Sequence, residues 1–326
     1  DTVVGTAGND VFSVVGIDEV VVLGVTATSS ENLQGGNGDD QFEFNAVSAS
    51  LAGFINGGAG TNTLRGRLGS SDLFVVNAVA GGSASGTYTP LGAGFSSIQV
   101  FDGGGDAGDT LESAASVLFA IEGTDTGMLD GSVAWRGLPN LIGSTSFTFS
   151  VAGSVATIDG QSLASVNLAG NRSDRITIDS INATGANGNT DNAIRSSFSR
   201  IVEVVAGTGL GIDTIEGTNG ADRFRIDSAG GGFLDSLPTT SALRFVGVER
   251  IDARDSDDSI FFDDAGSVSS LIGGAGFDTI FGKSTADVMS LSAIGEGTLS
   301  AGGIYTNFSG VESFDGRSGD DSLELN

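Results

Sequence analysis

Apolar residues along this chain fall in short alternating runs and never settle into helical spacing. Phe42 and Phe44, Phe224 and Ile226, and Leu323 and Leu325 each flank one polar or charged residue. That period of two marks a strand with one face in a core. Gly, Asp, Asn and Ser crowd the positions between runs, where a backbone must turn sharply. The pattern predicts an all-β chain of many short strands and tight corners, with the Phe residues mostly stacked inside.

The runs repeat. FSSIQVFDGGGDAGDTLE at 95–112, FSRIVEVVAGTGLGIDTIE at 198–216 and FSGVESFDGRSGDDSLE at 308–324 are versions of one segment. A longer unit of about 105 residues is clear at 5–112 and 217–324: GTAGNDVFSV (5–14) answers GTNGADRFRI (217–226), and INGGAGTNTLRG (55–66) answers IGGAGFDTIFG (272–282). Residues 113–216 form a degenerate third copy that lacks the GGAG turn. Duplication over the whole length means that length counts coils here, so the expectation is a single elongated domain of three repeats. The chain opens inside a repeat and stops as a strand begins, as expected for a segment of a longer polypeptide.

Matching motif positions lie about 20–22 residues apart where they are closest, from Asp40 to Asn62 and from Asp258 to Asp278. That spacing suits one turn of a parallel β-helix, or β-solenoid, made of two or three short strands and their corners. Long loops such as NATGANGNT (182–190) are expected to lie in solvent.

Two turns, GGNGDDQFE at 35–43 and GGAGFDTIF at 273–281, fit the nonapeptide G-G-x-G-x-D-x-U-x letter for letter. GTAGNDVFS (5–13), GTNGADRFR (217–225) and TGLGIDTIE (208–216) come close. These turns resemble those of the RTX family, secreted bacterial proteins whose nonapeptides bind calcium in a parallel β-roll. As a whole, the long β-rich repeats look like giant repetitive bacterial exoproteins, the filamentous-haemagglutinin-type fibres and adhesins. The resemblance implies a right-handed coil and an extracellular or cell-surface location. It makes Asp10, Asp39, Asp40, Asp213, Asp222, Asp257, Asp258, Asp278, Asp320 and Asp321 the candidate calcium ligands. The sharpest are the doublets at 39–40, 257–258 and 320–321, together with Asp278 and with Asp213 and Asp222, which stand nine apart as tandem nonapeptides require.

Two readings stay open at each turn. In one, Gly bends the backbone so that carbonyls and the Asp carboxylate offer hard oxygens to calcium. In the other, the carboxylate caps backbone N–H groups at a coil corner, as in an Asx turn. Stacked carboxylates about 4.8 Å apart repel by roughly 0.9 kcal/mol in bulk water and about 3.5 kcal/mol at an effective dielectric near 20. A shared cation would relieve that repulsion. Asn62 replaces the Asp in one turn, and Arg317 takes a Gly place in another.

Charge narrows the partners. The net charge is −27, from 41 acidic residues against 13 Arg and the single Lys283. Such a chain repels nucleic acid and anionic membranes and attracts divalent cations. No apolar run approaches the roughly 18 residues of a membrane span, so membrane insertion is not expected. The absence of Cys and His removes disulfides, thiolate metal sites and the commonest general base.

The sequence thus reads as a non-catalytic structural segment of a bacterial surface fibre or large adhesin. Its partners would be neighbouring repeats of the same longer chain, with like fibres or surface glycans as further candidates. Two other classes remain. One is an adhesive module that binds glycan or cells. The other is a β-helix polysaccharide lyase or hydrolase, for which the basic patch is Arg223, Arg225, Arg244, Arg250 and Arg254, interleaved with Asp227, Glu249, Asp252 and Asp255. The middle copy offers Trp135, Arg136, Asp159, Arg172, Asp174 and Arg175 in no recognisable catalytic arrangement, and Trp135 reads as the filling of an altered coil.

Overall fold

A computed structural model describes every residue except 144, 169, 171, 208, 237–240 and 302, and leaves out the side chains of 162, 163 and 236. Thr208, which heads TGLGIDTIE, therefore lies outside the described residues. All named elements are strands. The chain divides into two compact units, Asp1–Asp159 and Gly160–Asn326.

In the first unit, strands stack in parallel ladders. Thr2–Val4, Asn32–Gln34, Phe54–Asn56 and Gly94–Ile98 form one. Val11–Gly16, Gln41–Phe44, Thr63–Arg65, Val100–Asp102 and Val133–Arg136 form a second. The register of the second aligns Phe12, Phe42, Leu64, Phe101 and Trp135 in one inward column, each at most 2% exposed. The Phe12 and Phe42 rings stack at 4.9 Å. In-register parallel pairing sets one large apolar side chain over the next, so each inward residue gains packing from the coils on either side.

The second unit repeats the scheme. Arg175–Asn182, Thr214–Glu216, Arg250–Asp252, Ser270–Ile272 and Ile304–Ser309 form one parallel ladder. Asp222–Ser228, Ser259–Phe262, Thr279–Phe281 and Ser313–Asp315 form another. Of the 20 Phe in the chain, 14 are buried. Leu323 and Leu325 depart from the expected inward placement: they are 59% and 80% exposed, because their strand pairs on one side only, with Asp287–Ala293.

The coil length is not uniform. Corner residues of successive coils are 22 apart at Asp40 and Asn62 and 20 apart at Asp258 and Asp278. They are 36 apart at Asp222 and Asp258 and 37 at Asp72 and Asp109. The long coils carry an antiparallel meander that turns the chain back once before it resumes. Leu73–Ala80, Ser83–Tyr88 and Gly94–Ile98 make such a meander in the first unit. Arg175–Asn182, Gly185–Thr190 and Ile194–Val205 make one in the second. The middle strand pairs with both neighbours, so it joins strands that belong to separate parallel ladders. NATGANGNT is thus no solvent loop: its Ala186, Gly188 and Thr190 are buried in a strand.

The meanders share one packing device. A Gly on the middle strand lies opposite an aromatic residue on the third, as in Gly86 and Phe95, Gly188 and Phe198, Gly297 and Phe308, and Gly127 and Trp135. A Cβ on Gly86 would stand 3.0 Å from Phe95 Cζ, and one on Gly127 would stand 2.7 Å from Trp135 Cζ2. Both would also press into a backbone carbonyl of the first strand, Val75 or Ala120. The ring therefore covers bare backbone. Trp135 fills the position that Phe takes elsewhere.

Gly297→Ala should cost about 1–3 kcal/mol, the usual size of an overpacking penalty. Gly8→Ala, where the nearest atom to a new Cβ is Thr6 Oγ1 at 3.7 Å, should stay within about 0.5 kcal/mol. Urea unfolding of the two variants reads the difference, and equal losses would refute the packing role of the glycine.

Candidate metal centre

Each parallel strand of the second ladder in either unit follows a corner, and the residue at the corner is Asp at five of the nine strands (Asp10, Asp40, Asp222, Asp258 and Asp278) and Asn62, Gln99, Ser132 or Glu312 at the others. The Asp carboxylate does not face solvent. It accepts the backbone N–H of the equivalent residue one coil earlier, forming a rung along the stack.

In the first unit Asp10 N donates to Asp40 Oδ1 at 2.9 Å, Asp40 N to Asn62 Oδ1 at 3.0 Å, and Asn62 N to Gln99 Oε1 at 2.7 Å. A neighbouring column joins Asp72 N to Asp109 Oδ1 at 2.9 Å. In the second unit the column runs Asp222, Asp258, Asp278 and Glu312, with rungs of 2.7, 2.8 and 2.9 Å. Asp174, Asp213 and Glu249 form another, at 2.7 and 2.8 Å. Asp287 N donates to Asp321 Oδ1 at 3.0 Å. A hydrogen bond to a charged acceptor contributes roughly 1.5–3 kcal/mol, and here each one fixes the register of two coils.

The second carboxylate oxygen separates two kinds of corner. At a closed corner it accepts the N–H of the residue that starts the turn: Thr6 N to Asp10 Oδ2 at 2.5 Å, Arg67 N to Asp72 Oδ2 at 2.6 Å, Thr218 N to Asp222 Oδ2 at 2.6 Å, and Lys283 N to Asp287 Oδ2 at 2.7 Å. At an open corner the equivalent residue has a positive φ, 102° at Gly36, 77° at Arg254 and 112° at Gly274. The matching oxygens, Oδ2 of Asp40, Asp258 and Asp278, are buried with no hydrogen-bond partner. Asp174 Oδ2 and Asp287 Oδ1 are also unpartnered, but Arg172 Nε lies 2.8 Å from Asp174 Oδ1 and the Lys283 N–H holds the other Asp287 oxygen. The two turns that match the nonapeptide letter for letter, at Asp40 and Asp278, are both open.

Asn62 shows what an open corner needs. Gly58 has a φ of 84°, yet the Asn62 amide leaves nothing orphaned. Its Oδ1 keeps the rung, while Nδ2 donates to Ser97 O at 3.2 Å and Gly58 O at 3.4 Å. Where Asn62 has a donor, Asp40 and Asp278 have a bare anionic oxygen. At corners of both kinds the Asp Oδ2 and a carbonyl of the next coil converge on a Gly Cα, Asp40 and Gly57 on Gly35 and Asp278 and Gly310 on Gly273 as Asp10 and Gly35 do on Gly5; the open corners differ in that the oxygen there has no N–H donor. Hard anionic and carbonyl oxygens with an unmet charge are the donor set that calcium takes, so the residues at the open corners fit that ion.

Burial raises carboxyls at corners of both kinds, Asp72 and Asp287 of the closed corners among them. Burial pushes the Asp258 carboxyl up to about 8, helped by repulsion from Asp222, Asp278 and Asp257. Burial also raises Asp40, with Asp10 and Asp39 adding to it, and Asp278, with Glu312 and Asp257 adding to it. Asp109 and Asp213 rise to about 6, again chiefly through burial.

Of the ten residues proposed from the sequence, Asp10, Asp40, Asp213, Asp222, Asp258 and Asp278 are buried in columns. The doublets split. Asp40 and Asp258 turn inward while Asp39 and Asp257 stay exposed and accept the N–H of Thr61 at 2.6 Å and Phe277 at 2.8 Å on the next coil. Asp320 and Asp321 are both exposed. Asp213 and Asp222, though nine apart, stand in different columns. Among the described residues, no three acidic side chains gather as a metal cluster, so backbone carbonyls would have to complete the coordination. Asp72, Asp109 and Asp287 are column members that the letter-for-letter nonapeptide misses. Their signal is a Gly five or six residues earlier and an alternating strand directly after.

Four segments, residues 1–13, 54–73, 208–225 and 270–293, match the RTX calcium-binding nonapeptide repeat. Comparison with curated proteins and with solved structures gave no match. Repeats of this kind bind calcium, and the matched segments contain Asp10, Asn62, Asp72, Asp213, Asp222, Asp278 and Asp287 of the corner columns.

The raised carboxyls fix a sign for pH. A carboxyl that titrates near 8 when folded and about 3.9 when unfolded binds more protons in the native state between those values. Its stabilisation is complete below pH about 4 and is lost as pH rises through 8. Without metal, the melting temperature should fall from pH 5 to pH 8, and Asp258→Asn should flatten that slope. A metal-free melting temperature that rises over this range would contradict the assignment.

Proposed function

We propose that this chain is a non-catalytic structural segment of a large extracellular bacterial surface protein, a right-handed parallel β-helix stiffened by calcium at its open corners. The observation that carries the reading is the orphaned Oδ2 of Asp40, Asp258 and Asp278 at corners whose backbone takes a positive φ. A buried carboxylate oxygen with no donor costs several kcal/mol unless a proton or a cation meets it. When bound, calcium supplies that charge and draws in the neighbouring carbonyls. Asp40, Asp258 and Asp278 would hold it, with the Gly57 and Gly310 carbonyls beside the first and last.

The fold supports a role in setting distance and stiffness. Register-locked coils joined by corner rungs resist shear, and a cation shared between coils at a corner would tie them further. Calcium concentration outside a cell would then control rigidity, since anything that binds only the folded state raises its stability. The basic patch supports the non-catalytic reading: Arg223 pairs with Asp235 at 2.5 Å, Arg225 with Asp263 at 3.1 Å and Arg244 with Glu203 at 3.3 Å, all across strands of one sheet face.

Asp278→Asn and Asp40→Asn test the reading by copying Asn62. In chelator each variant should melt at or above the parent temperature, because the amide supplies the missing donor. In millimolar calcium the parent should melt several degrees higher than in chelator, and the double variant should gain much less. Differential scanning calorimetry reads both. A parent whose melting temperature ignores calcium would remove the metal from the account and leave the Asp turns as corner capping alone.

A further inference from the structure

The outer face of the second unit carries a row that the corner chemistry does not use. Register aligns Arg244, Phe233, Arg225, Phe261, Phe281 and Asp315 across six neighbouring strands, all on the same side. Their inward neighbours Phe224, Ile260 and Ile280 are fully buried, so alternation turns this row to the surface. At about 4.8 Å per strand, the row runs perpendicular to the strands as a narrow platform.

Its groups are ordered. The Arg225 and Arg244 guanidinium carbons lie 5.7 and 5.3 Å from the centre of the Phe233 ring, which they flank. Phe261 stacks on Phe281 at 4.1 Å with 5° between the planes. A groove of about 750 Å³ opens over Arg225, Phe233 and Phe261. Arg223, Arg317, Asp235, Ala242 and Asp263 complete its walls. That volume is in the range of ligand sites. Four of the 13 Arg in the chain meet on this face, which is unusual crowding for a protein of net charge −27.

We propose that this groove binds an acidic glycan, a stretch of polyuronate laid along the row. Flat aromatic faces suit the C–H faces of sugar rings, and a guanidinium fork suits a sugar carboxylate. Asp235 and Asp263, which hold Arg223 and Arg225 in place, also offer acceptors to hydroxyl groups. A linear polymer with regularly spaced rings matches a platform on which aromatic and cationic groups recur at strand spacing. The groove lining holds three Arg against two Asp, a local balance of +1, and at physiological salt the screening length is about 8 Å, so these groups govern approach rather than the distant acidic corners. This site is separate from the calcium corners, and its test is run without calcium.

Isothermal titration of the full chain in chelator with a galacturonic acid hexamer reads the proposal. Saturable binding is expected, weaker at high salt and weakened at least about tenfold by Phe261→Ala and by Arg225→Gln. Cellohexaose should bind at least about tenfold more weakly than the hexuronate, which isolates the carboxylate contribution. Arg225→Lys, which keeps the charge but loses the fork, serves if Phe261→Ala melts early; it too should weaken binding. Absence of saturable heat, binding that neither Arg225 variant changes, equal affinity for cellohexaose, or tighter binding of a single-stranded thymidine oligomer would each overturn it.

Discussion

A backbone N–H at a coil corner points along the stack, where no strand carbonyl waits for it, and a carboxylate from the next coil fills that gap. The remainder of the architecture depends on this bond. Parallel ladders of three or four residues are too short to fix their own register. The rung at each corner does so, since moving a coil by one residue would bury an unpaired N–H and an unpaired carboxylate together. It also explains why buried acids accumulate in a molecule that has so few cations to pair with them.

Having placed the acids there, the fold meets their charge in two ways. Closed corners turn a backbone N–H from Thr6, Arg67, Thr218 or Lys283 onto the second oxygen. Open corners use a positive φ that points that N–H elsewhere; at Arg254 and Gly58 it goes to Asp252 Oδ1 and Asn56 Oδ1, both at 3.1 Å. The anion left behind can gain a proton, which the rise of Asp258 to about 8 expresses, or a hard cation. Both outcomes follow from one local backbone choice, so a single chain holds corners that close on an N–H beside corners that leave an anion open to a proton or a cation.

Much of this was legible in the sequence. Alternation at Phe42 and Phe44 and at Phe224 and Ile226 gave the strands and their inward faces, and GGNGDDQFE and GGAGFDTIF marked two of the open corners. The closing segment FSSIQVFDGGGDAGDTLE holds the aromatic that covers a meander glycine, then a corner, then the next strand. What stayed hidden depends on pairing between distant residues. NATGANGNT reads as a loop because its small polar residues carry no hydrophobic period, yet Gly188 is needed beneath Phe198. The two coil lengths are concealed because a meander adds residues without adding a rung. Asp72, Asp109 and Asp287 escape the letter-for-letter nonapeptide because the glycines around them differ, although segments that match the repeat contain Asp72 and Asp287. The outward row from Arg244 to Asp315 comes from registers that join residues far apart in the chain.

The claim that most of this rests on is that open corners take a cation and closed corners do not. Anomalous diffraction from crystals soaked in terbium, a calcium substitute with a strong signal, tests it residue by residue. The account predicts peaks beside the carboxylates of Asp40, Asp258 and Asp278, and none at Asp10, Asp72, Asp222 or Asn62. Peaks at the closed corners, or a map without signal at any of the three open ones, would contradict it.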